Sequence, residues 1–253
     1  MKAVLLAGGL GTRMREETEF RPKPMVDIGG KPIVWHIMRN LAHFGMRDFI
    51  IASGYKSEVI DSYFVESHDW REVGQDLEDA RTFLGLKEGE EWTVTVAFTG
   101  DVTPTGGRVV RVRELLNGEE FFVTYGDGLA NVDIEELLRT HHEGGRLATL
   151  TAVQPTSRFG LMDIDESGAV SHFREKPRMN DWVSIGFFVF RPEVLDYLSA
   201  EGGLEEEGLT RLAIDGQLQA YKHEGFWQPM DTYREYVILQ DLWNSGDPPW
   251  RMW

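Results

Sequence analysis

The sequence predicts an α/β fold with a mostly parallel sheet flanked by helices and a small antiparallel addition in its second half. Three observations carry that prediction. Short apolar runs alternate with amphipathic stretches through the first 150 residues, as expected of parallel strands joined by helices. Apolar residues make up 42% of the 253, enough for the core of one large domain. Beyond residue 160 strand-like pieces follow one another without intervening helices, and this excludes a barrel of eight strand–helix units.

The first strand is read at residues 2 to 7, where Ala3, Val4, Leu5, Leu6 and Ala7 run unbroken. Ile33, Ile37, Leu41 and Phe44 recur at helical spacing before a strand at 48 to 53. Further strands are expected at 92 to 98, 121 to 125 and 147 to 153. Helices are expected through Val109, Val112 and Leu116 and through Ile134, Leu137 and Leu138. Strand-like segments at Leu161 to Ile164, Ala169 to Phe173 and Val183 to Phe190 form the antiparallel addition. Helical stretches at Pro192 to Leu198 and Leu204 to Ile214 lead to a strand at Leu218 to Lys222 and a last helix around Tyr233 to Trp243. Residues 65 to 91 are acidic and Gly-containing, which fits a mobile flap, an oligomer contact or a solvated excursion. No repeat or long linker divides the chain, so residues 1–253 are expected to form one domain.

A formal net charge of −16 argues against a general nucleic-acid binder, which needs many Lys or Arg groups to neutralise phosphates. It argues equally against an anionic membrane surface. A small anionic substrate remains compatible, because screening over about 8 Å lets a local cluster of cations outweigh distant carboxylates. The absence of cysteine excludes disulfides, thiolate chemistry and cysteine-ligated metals. The apolar stretch Ala3 to Ala7 is shorter than the roughly seven residues of a signal-peptide core, and no segment approaches the ~18 of a membrane span. A cytoplasmic protein is expected. The seven histidines show no metal-ligand spacing such as His-Glu-x-x-His and receive no catalytic role.

The chemistry begins where the first strand runs into Gly8-Gly9-Leu10-Gly11-Thr12-Arg13. Gly8, Gly9 and Gly11 let backbone N–H groups converge on one point, and Arg13 follows where a phosphate would need a partner. A Walker loop is excluded, since Gly30-Lys31 is followed by Pro32. A dinucleotide fingerprint is broken by Met14, where Gly or Ala is required. The alternative is an ordinary strand-to-helix turn. Ten residues after Arg13, Lys23 stands between Pro22 and Pro24, a stiff frame that lowers the entropic cost of holding a cation over a ligand.

Gly8-Gly9-x-Gly11-Thr12-Arg13 with Pro22-Lys23-Pro24 resembles the signature of the sugar nucleotidyltransferases, which join a nucleoside triphosphate to a sugar 1-phosphate. The wider match is nearest to the glucose-1-phosphate cytidylyltransferases. It runs through Lys31 to Met38, Thr105-Gly106-Gly107-Arg108, Arg111-Val112-Arg113 and Gly225 to Thr232, and covers nearly the whole chain. The resemblance implies a Rossmann-like sheet of the nucleotide-diphospho-sugar transferase type. Residues 1–150 would mainly bind nucleotide and 151–253 mainly sugar phosphate.

Asp127 lies at the carboxyl end of the strand Phe121 to Tyr125, the edge where open α/β sheets bind ligands. Asp231 precedes the last helix. Taken alone these are equally well a turn aspartate and a helix cap. The resemblance assigns both to one Mg²⁺ on the triphosphate, a cation that takes one or two carboxylates and fills its remaining positions with phosphate oxygens and water. It further implies that Arg13, Lys23 and Asp127 are catalytic, and that Gly8, Gly9, Gly11, Thr12, Arg13, Thr105, Gly106 and Arg111 bind the nucleotide. Gly160, Glu175, Lys176 and Ser184 would bind the sugar phosphate. Without the resemblance, Glu175-Lys176 is a surface ion pair and Arg111 a solvated helix arginine.

The resemblance implies that Arg111 reads the base; an arginine only donates and so suits the O2 and N3 acceptors of cytosine, whereas N3 of uracil or thymine donates. CTP is therefore the expected nucleotide, α-D-glucose 1-phosphate the expected acceptor, and a homo-oligomer the expected assembly. One departure stands out. After Trp182 the family pattern carries Asn and then Gly or Ala, whereas this chain has Ser184 and Ile185. If both line the sugar pocket, a different phosphate or phosphonate acceptor is implied. A dTTP- or UTP-using transferase, a sugar-nucleotide binder without turnover and a nicotinamide-dependent oxidoreductase are the rival readings.

Overall fold

Strand β1 (Lys2–Ala7) occupies the middle of a nine-stranded sheet. In the computed structural model of the chain, the described residues are 1–9, 11, 14–77, 79–87 and 89–253, with only the backbone described at 15, 16, 75–77, 86 and 87. The strands that follow are β2 (Asp27–Ile28), β3 (Lys31–Pro32), β4 (Asp48–Ser53), β5 (Trp70–Leu77), β6 (Ala80–Lys87), β7 (Glu90–Phe98) and β8 (Phe121–Tyr125). Then come β9 (Gly128–Ala130), β10 (Ala148–Val153), β11 (Leu161–Ile164), β12 (Val170–Arg174), β13 (Val183–Phe190), β14 (Leu218–Lys222) and β15 (Trp227–Pro229). The helices are α1 (Arg15–Thr18), α2 (Ile33–His43), α3 (Ser57–Glu66), α4 (Thr105–Arg111), α5 (Ile134–Gly144), α6 (Thr210–Ile214) and α7 (Tyr233–Asn244).

The sheet order is β14-β10-β13-β8-β1-β4-β7-β6-β5. Only β6 and β13 run against the other strands. Residues of β1 alternate between two cores: Ala3, Leu5 and Ala7 face one side, Val4 and Leu6 the other. A central strand covered on both faces has no position for a polar residue, which is why β1 reads as an unbroken apolar run.

The chain steps from β1 to β4 to β7 on one side, then crosses to β8 on the other side of β1. A reversal of this kind opens a crevice at the carboxyl ends of the two strands it separates. Gly8 follows β1 and Asp127 follows β8, so topology alone brings both to that crevice.

Residues 65 to 91 contain an antiparallel hairpin, β5–β6, that extends the sheet beyond β7. Trp70 and Phe83 are buried against Phe64 of α3, with ring centroids 5.0 and 5.4 Å away. Among the described acidic residues, Glu72 and Asp79 are exposed, with Glu72 paired to Arg81 at 2.6 Å. The expected antiparallel addition divides in two: β13 enters the main sheet, while β11 and β12 form a separate exposed ribbon. Pro192–Tyr197 is 3₁₀ rather than α-helix, and Leu204–Leu209 a π-helical turn leading into α6. No helix among the described residues is long and apolar enough to cross a membrane.

Candidate active site

A cleft of about 390 Å³ opens at the crevice between β1 and β8, lined among others by Gly8, Gly9, Gly11, Lys23, Asp127 and Asp231. Backbone pairing sets the two aspartates side by side. Short strand β9, directly after Asp127, pairs antiparallel with β15, so that Gly128 opposes Pro229. The next residue closes the match: Met230 N–H donates to the Asp127 carbonyl at 2.8 Å, and its side chain is fully buried. Asp231 therefore leaves the core beside Asp127, about a hundred residues away in sequence. Helix α7 begins just beyond, capped by Thr232, while Glu235 accepts from the N–H groups of Asp231 and Thr232 at 2.8 and 2.9 Å.

Lys23 completes the cluster. It opens a single 3₁₀ turn, Lys23–Met25, entered from Pro22 in extended conformation. Pro24 lies so close to Gly126 that any Cβ there would stand 2.9 Å from its ring. The prolines thus fix the lysine against the end of β8. Its Nζ donates to Asp127 Oδ2 at 2.7 Å and to Asp231 Oδ1 at 2.6 Å. Burial by itself lowers the pKa of Lys23, but the charges and hydrogen bonds of the two carboxylates outweigh it and raise the value above that of a free lysine. The ammonium stays charged.

The glycine loop is organised from beneath by Arg108, a residue without an assigned role in the sequence reading. Its guanidinium is buried and donates to the carbonyls of Gly8, Ser53 and Gly100 at 2.9, 2.9 and 2.8 Å, and to Thr99 Oγ1 at 2.7 Å. Desolvation, then the charge of Arg111, lowers its pKa. A Cβ on Gly8 would lie 1.9 Å from the Arg108 guanidinium, whereas one on Gly9 would meet nothing within 4 Å. Gly8 is therefore glycine to admit Arg108, and Gly9 leaves open space in the cleft. Gly11 adopts φ of +60°, a conformation that favours glycine.

Helix α4 adjoins the same cleft. Thr105 lines it and accepts from Leu204 N–H at 2.8 Å. Gly106 and Gly107 would place a Cβ 2.6 and 2.2 Å from the carbonyl oxygens of Gly202 and Ala200, so both are needed for close packing. Arg111 lies one turn further along, exposed and outside the cleft lining, donating to the Thr99 carbonyl at 3.0 Å. Thr12 and Arg13 lie outside the described residues.

Of the predicted sugar-phosphate residues, Gly160 and Glu175 are brought together, away from the cleft lining. A Cβ on Gly160 would stand 2.5 Å from the Phe173 ring and 3.2 Å from Glu175 Oε2. Lys176 takes φ of +44° although a proline follows, a combination that needs support from its surroundings. Both lie outside the lining of the cleft. Ser184 is exposed on β13, while Ile185 is 5% exposed and joins Phe187 and Val189 in the core. The bulk of Ile185 is thus packed into the core.

Two carboxylates converging on one cation position, with cleft space beside them, form the hard-oxygen donor set that suits Mg²⁺ completed by phosphate oxygens and water. Lys23 Nζ marks that position, so Asp127 and Asp231 fit such an ion.

Residues 2–237 match the sequence model of a family described as nucleotidyl transferase. The glucose-1-phosphate cytidylyltransferase of Salmonella typhi is 47% identical over 257 aligned residues, spanning 100% of both chains. Among solved structures, a UDP-glucose pyrophosphorylase complexed with UDP-glucose superposes with a TM-score of 0.70 at 16% identity, over 97% of this chain and 98% of that one. HddC from Yersinia pseudotuberculosis gives 0.68 at 22% identity, over 96% and 99%. At those identities the two structures establish the fold.

Proposed function

The chain belongs to the nucleotidyl transferase family, and on that premise we infer that it joins CTP to α-D-glucose 1-phosphate, giving CDP-glucose and pyrophosphate. The full-length 47% identity to a glucose-1-phosphate cytidylyltransferase carries the choice of substrates. The packing of Ile185 into the core, beside Phe187 and Val189, is in keeping with an ordinary glucose 1-phosphate acceptor.

In the proposed mechanism a phosphate oxygen of the sugar 1-phosphate attacks the α-phosphorus of CTP in line. A new P–O bond forms as the bond to the β-phosphate's bridging oxygen breaks, and pyrophosphate leaves with that electron pair. No covalent enzyme intermediate is required, so the protein acts by positioning and charge neutralisation. Gly8, Gly9 and Gly11 would face the triphosphate with backbone N–H groups, assisted by Thr12 and Arg13, and Thr105 and Gly106 would border the nucleotide. Lys23 would offset the repulsion between the two anions from the triphosphate side. Lys176 would do so from the sugar side, with Glu175, Gly160 and Ser184 at the sugar hydroxyls. The strained backbone of Lys176 supports that assignment, since strain of this kind concentrates at ligand sites.

Asp127 and Asp231 would hold Mg²⁺, which when bound neutralises charge on the phosphates. Arg111 would read the cytosine through donors matched to O2 and N3. Residues 1–150 would mainly serve the nucleotide and 151–253 the sugar phosphate, with Asp231 crossing from the second group to the first.

A matrix of five nucleoside triphosphates against a panel of sugar 1-phosphates, read by pyrophosphate release, tests the assignment. CTP with α-D-glucose 1-phosphate should give the highest kcat/KM. A preference for UTP or dTTP, or for another acceptor, would overturn it.

A further inference from the structure

Glu235 is 6% exposed, yet its carboxylate serves two separate parts of the molecule. Oε2 accepts from the backbone N–H groups of Asp231 and Thr232 at 2.8 and 2.9 Å. Oε1 accepts from the guanidinium of Arg158, whose side chain is mostly exposed. Arg158 belongs to a loop with further attachments. Ser157 N–H donates to the Pro177 carbonyl at 2.9 Å, and Met179 N–H to the Pro155 carbonyl at 2.9 Å. Within that loop the Ser157 hydroxyl donates to the Phe159 carbonyl at 2.8 Å, shaping the approach to Gly160. A continuous chain of polar contacts therefore runs from the Lys176-Pro177 turn through Arg158 and Glu235 to the backbone of Asp231.

The two functions of Glu235 differ in what they require. Capping α7 needs only an acceptor oxygen at Oε2. Pairing with Arg158 needs a second acceptor at Oε1, and a nearly buried carboxylate that reaches out to a cation gains a charge-assisted bond of fixed geometry. An ordinary cap has no use for this second arm.

We propose that Glu235 is a positioning residue that, through Arg158, sets the sugar-phosphate loop relative to Asp231. This rests on the proposed cytidylyl transfer. The pair would hold the acceptor's phosphate in register with the α-phosphorus, in a reaction where small misplacement is costly.

Glu235→Gln separates the two functions. The amide oxygen can still accept from both N–H groups, but its NH₂ would confront Arg158 with a second donor. Arg158→Ala removes the other partner, and Arg158→Lys retains a cation. Each variant is measured for melting temperature, for steady-state kinetics, and for calorimetric affinity toward CDP-glucose and toward CMP without added metal. Glu235→Gln and Arg158→Ala should each raise KM for α-D-glucose 1-phosphate and weaken CDP-glucose binding by about tenfold. KM for CTP, CMP affinity and melting temperature should stay near those of the unsubstituted chain. The double variant should be no worse than either single one, and Arg158→Lys should recover most of the loss. Additive effects, a fall in melting temperature without the KM change, or equal weakening of CMP would overturn the coupling. The unsubstituted chain run alongside separates the two claims: if it fails to turn over CTP and the sugar phosphate, the proposed function falls and the coupling with it. If it turns over and the variants behave additively, only the coupling falls.

Discussion

Lys23 Nζ lies 2.6 Å from Asp231 Oδ1, a contact between residues 208 positions apart that closes the cleft across the two ends of the chain. The same ammonium reaches Asp127 at 2.7 Å. One cation between two carboxylates neutralises a pair that would otherwise repel each other.

Removing one carboxylate should disable the reaction while leaving the fold in place. In Asp231→Ala, Lys23 keeps its bond to Asp127 and the β9–β15 pairing is untouched. Pyrophosphate release should fall by about a thousandfold, on the scale of losing a principal transition-state charge. The circular dichroism spectrum should be unchanged. Turnover within tenfold of the unsubstituted chain would contradict the role of Asp231.

Removing the lysine should expose the cation preference of the two aspartates. In Lys23→Ala the carboxylates face one another uncompensated, so the metal-free protein should melt at lower temperature, with a loss of about 1–2 kcal/mol. Added Mg²⁺ should raise that melting temperature more than it raises the unsubstituted protein's, because no ammonium competes for the position. Equal Mg²⁺ effects on both would count against a shared cation position.

The two adjacent glycines should respond in opposite ways. Gly8→Ala drives a methyl into the Arg108 guanidinium and should cost about 2–4 kcal/mol in urea denaturation. Gly9→Ala meets nothing and should change stability by less than about 1 kcal/mol, while its methyl enters the cleft and raises KM for CTP. Equal destabilisation by both would show that Arg108 does not organise the loop.

His36 carries a pH dependence away from the cleft. It is buried, and the Ile28 carbonyl, 2.8 Å away, accepts from Nε2–H, while the Trp250 indole donates to Nδ1 at 3.5 Å, so the neutral ring fits. Burial lowers its pKa to about 4. Because the unfolded state takes up the proton first, this contribution is complete above pH 6.5 and is lost as the pH falls towards 4. It amounts to about 3 kcal/mol. An NMR titration of the folded protein should place the His36 midpoint near 4; a midpoint above 6 would contradict this.

The legible parts of the fold and site were those that local sequence determines. The unbroken apolar run of β1, the glycines that end it and the Pro-Lys-Pro frame each announce their geometry within a few residues. Hairpin β5–β6 was not legible, because its apolar residues are broken up by charged residues and glycines, and Trp70 and Phe83 find their partners only once β6 pairs with β7, β5 pairs with β6 and both rings pack on Phe64. Arg108 was missed for a related reason: a buried arginine looks like a surface one until its carbonyl partners, from three separate segments, are assembled around it. The burial of Ile185 was legible. Ile185, Phe187 and Val189 alternate at a strand's period of two, which places all three on one buried face.

The most direct test of the account follows the phosphorus atoms. With CTP labelled at the α-position and α-D-glucose 1-phosphate as partner, the label should appear in CDP-glucose, while label placed at the γ-position should leave entirely in pyrophosphate. Label from the γ-position in the sugar product, or release of inorganic phosphate in place of pyrophosphate, would contradict in-line transfer of a cytidylyl group.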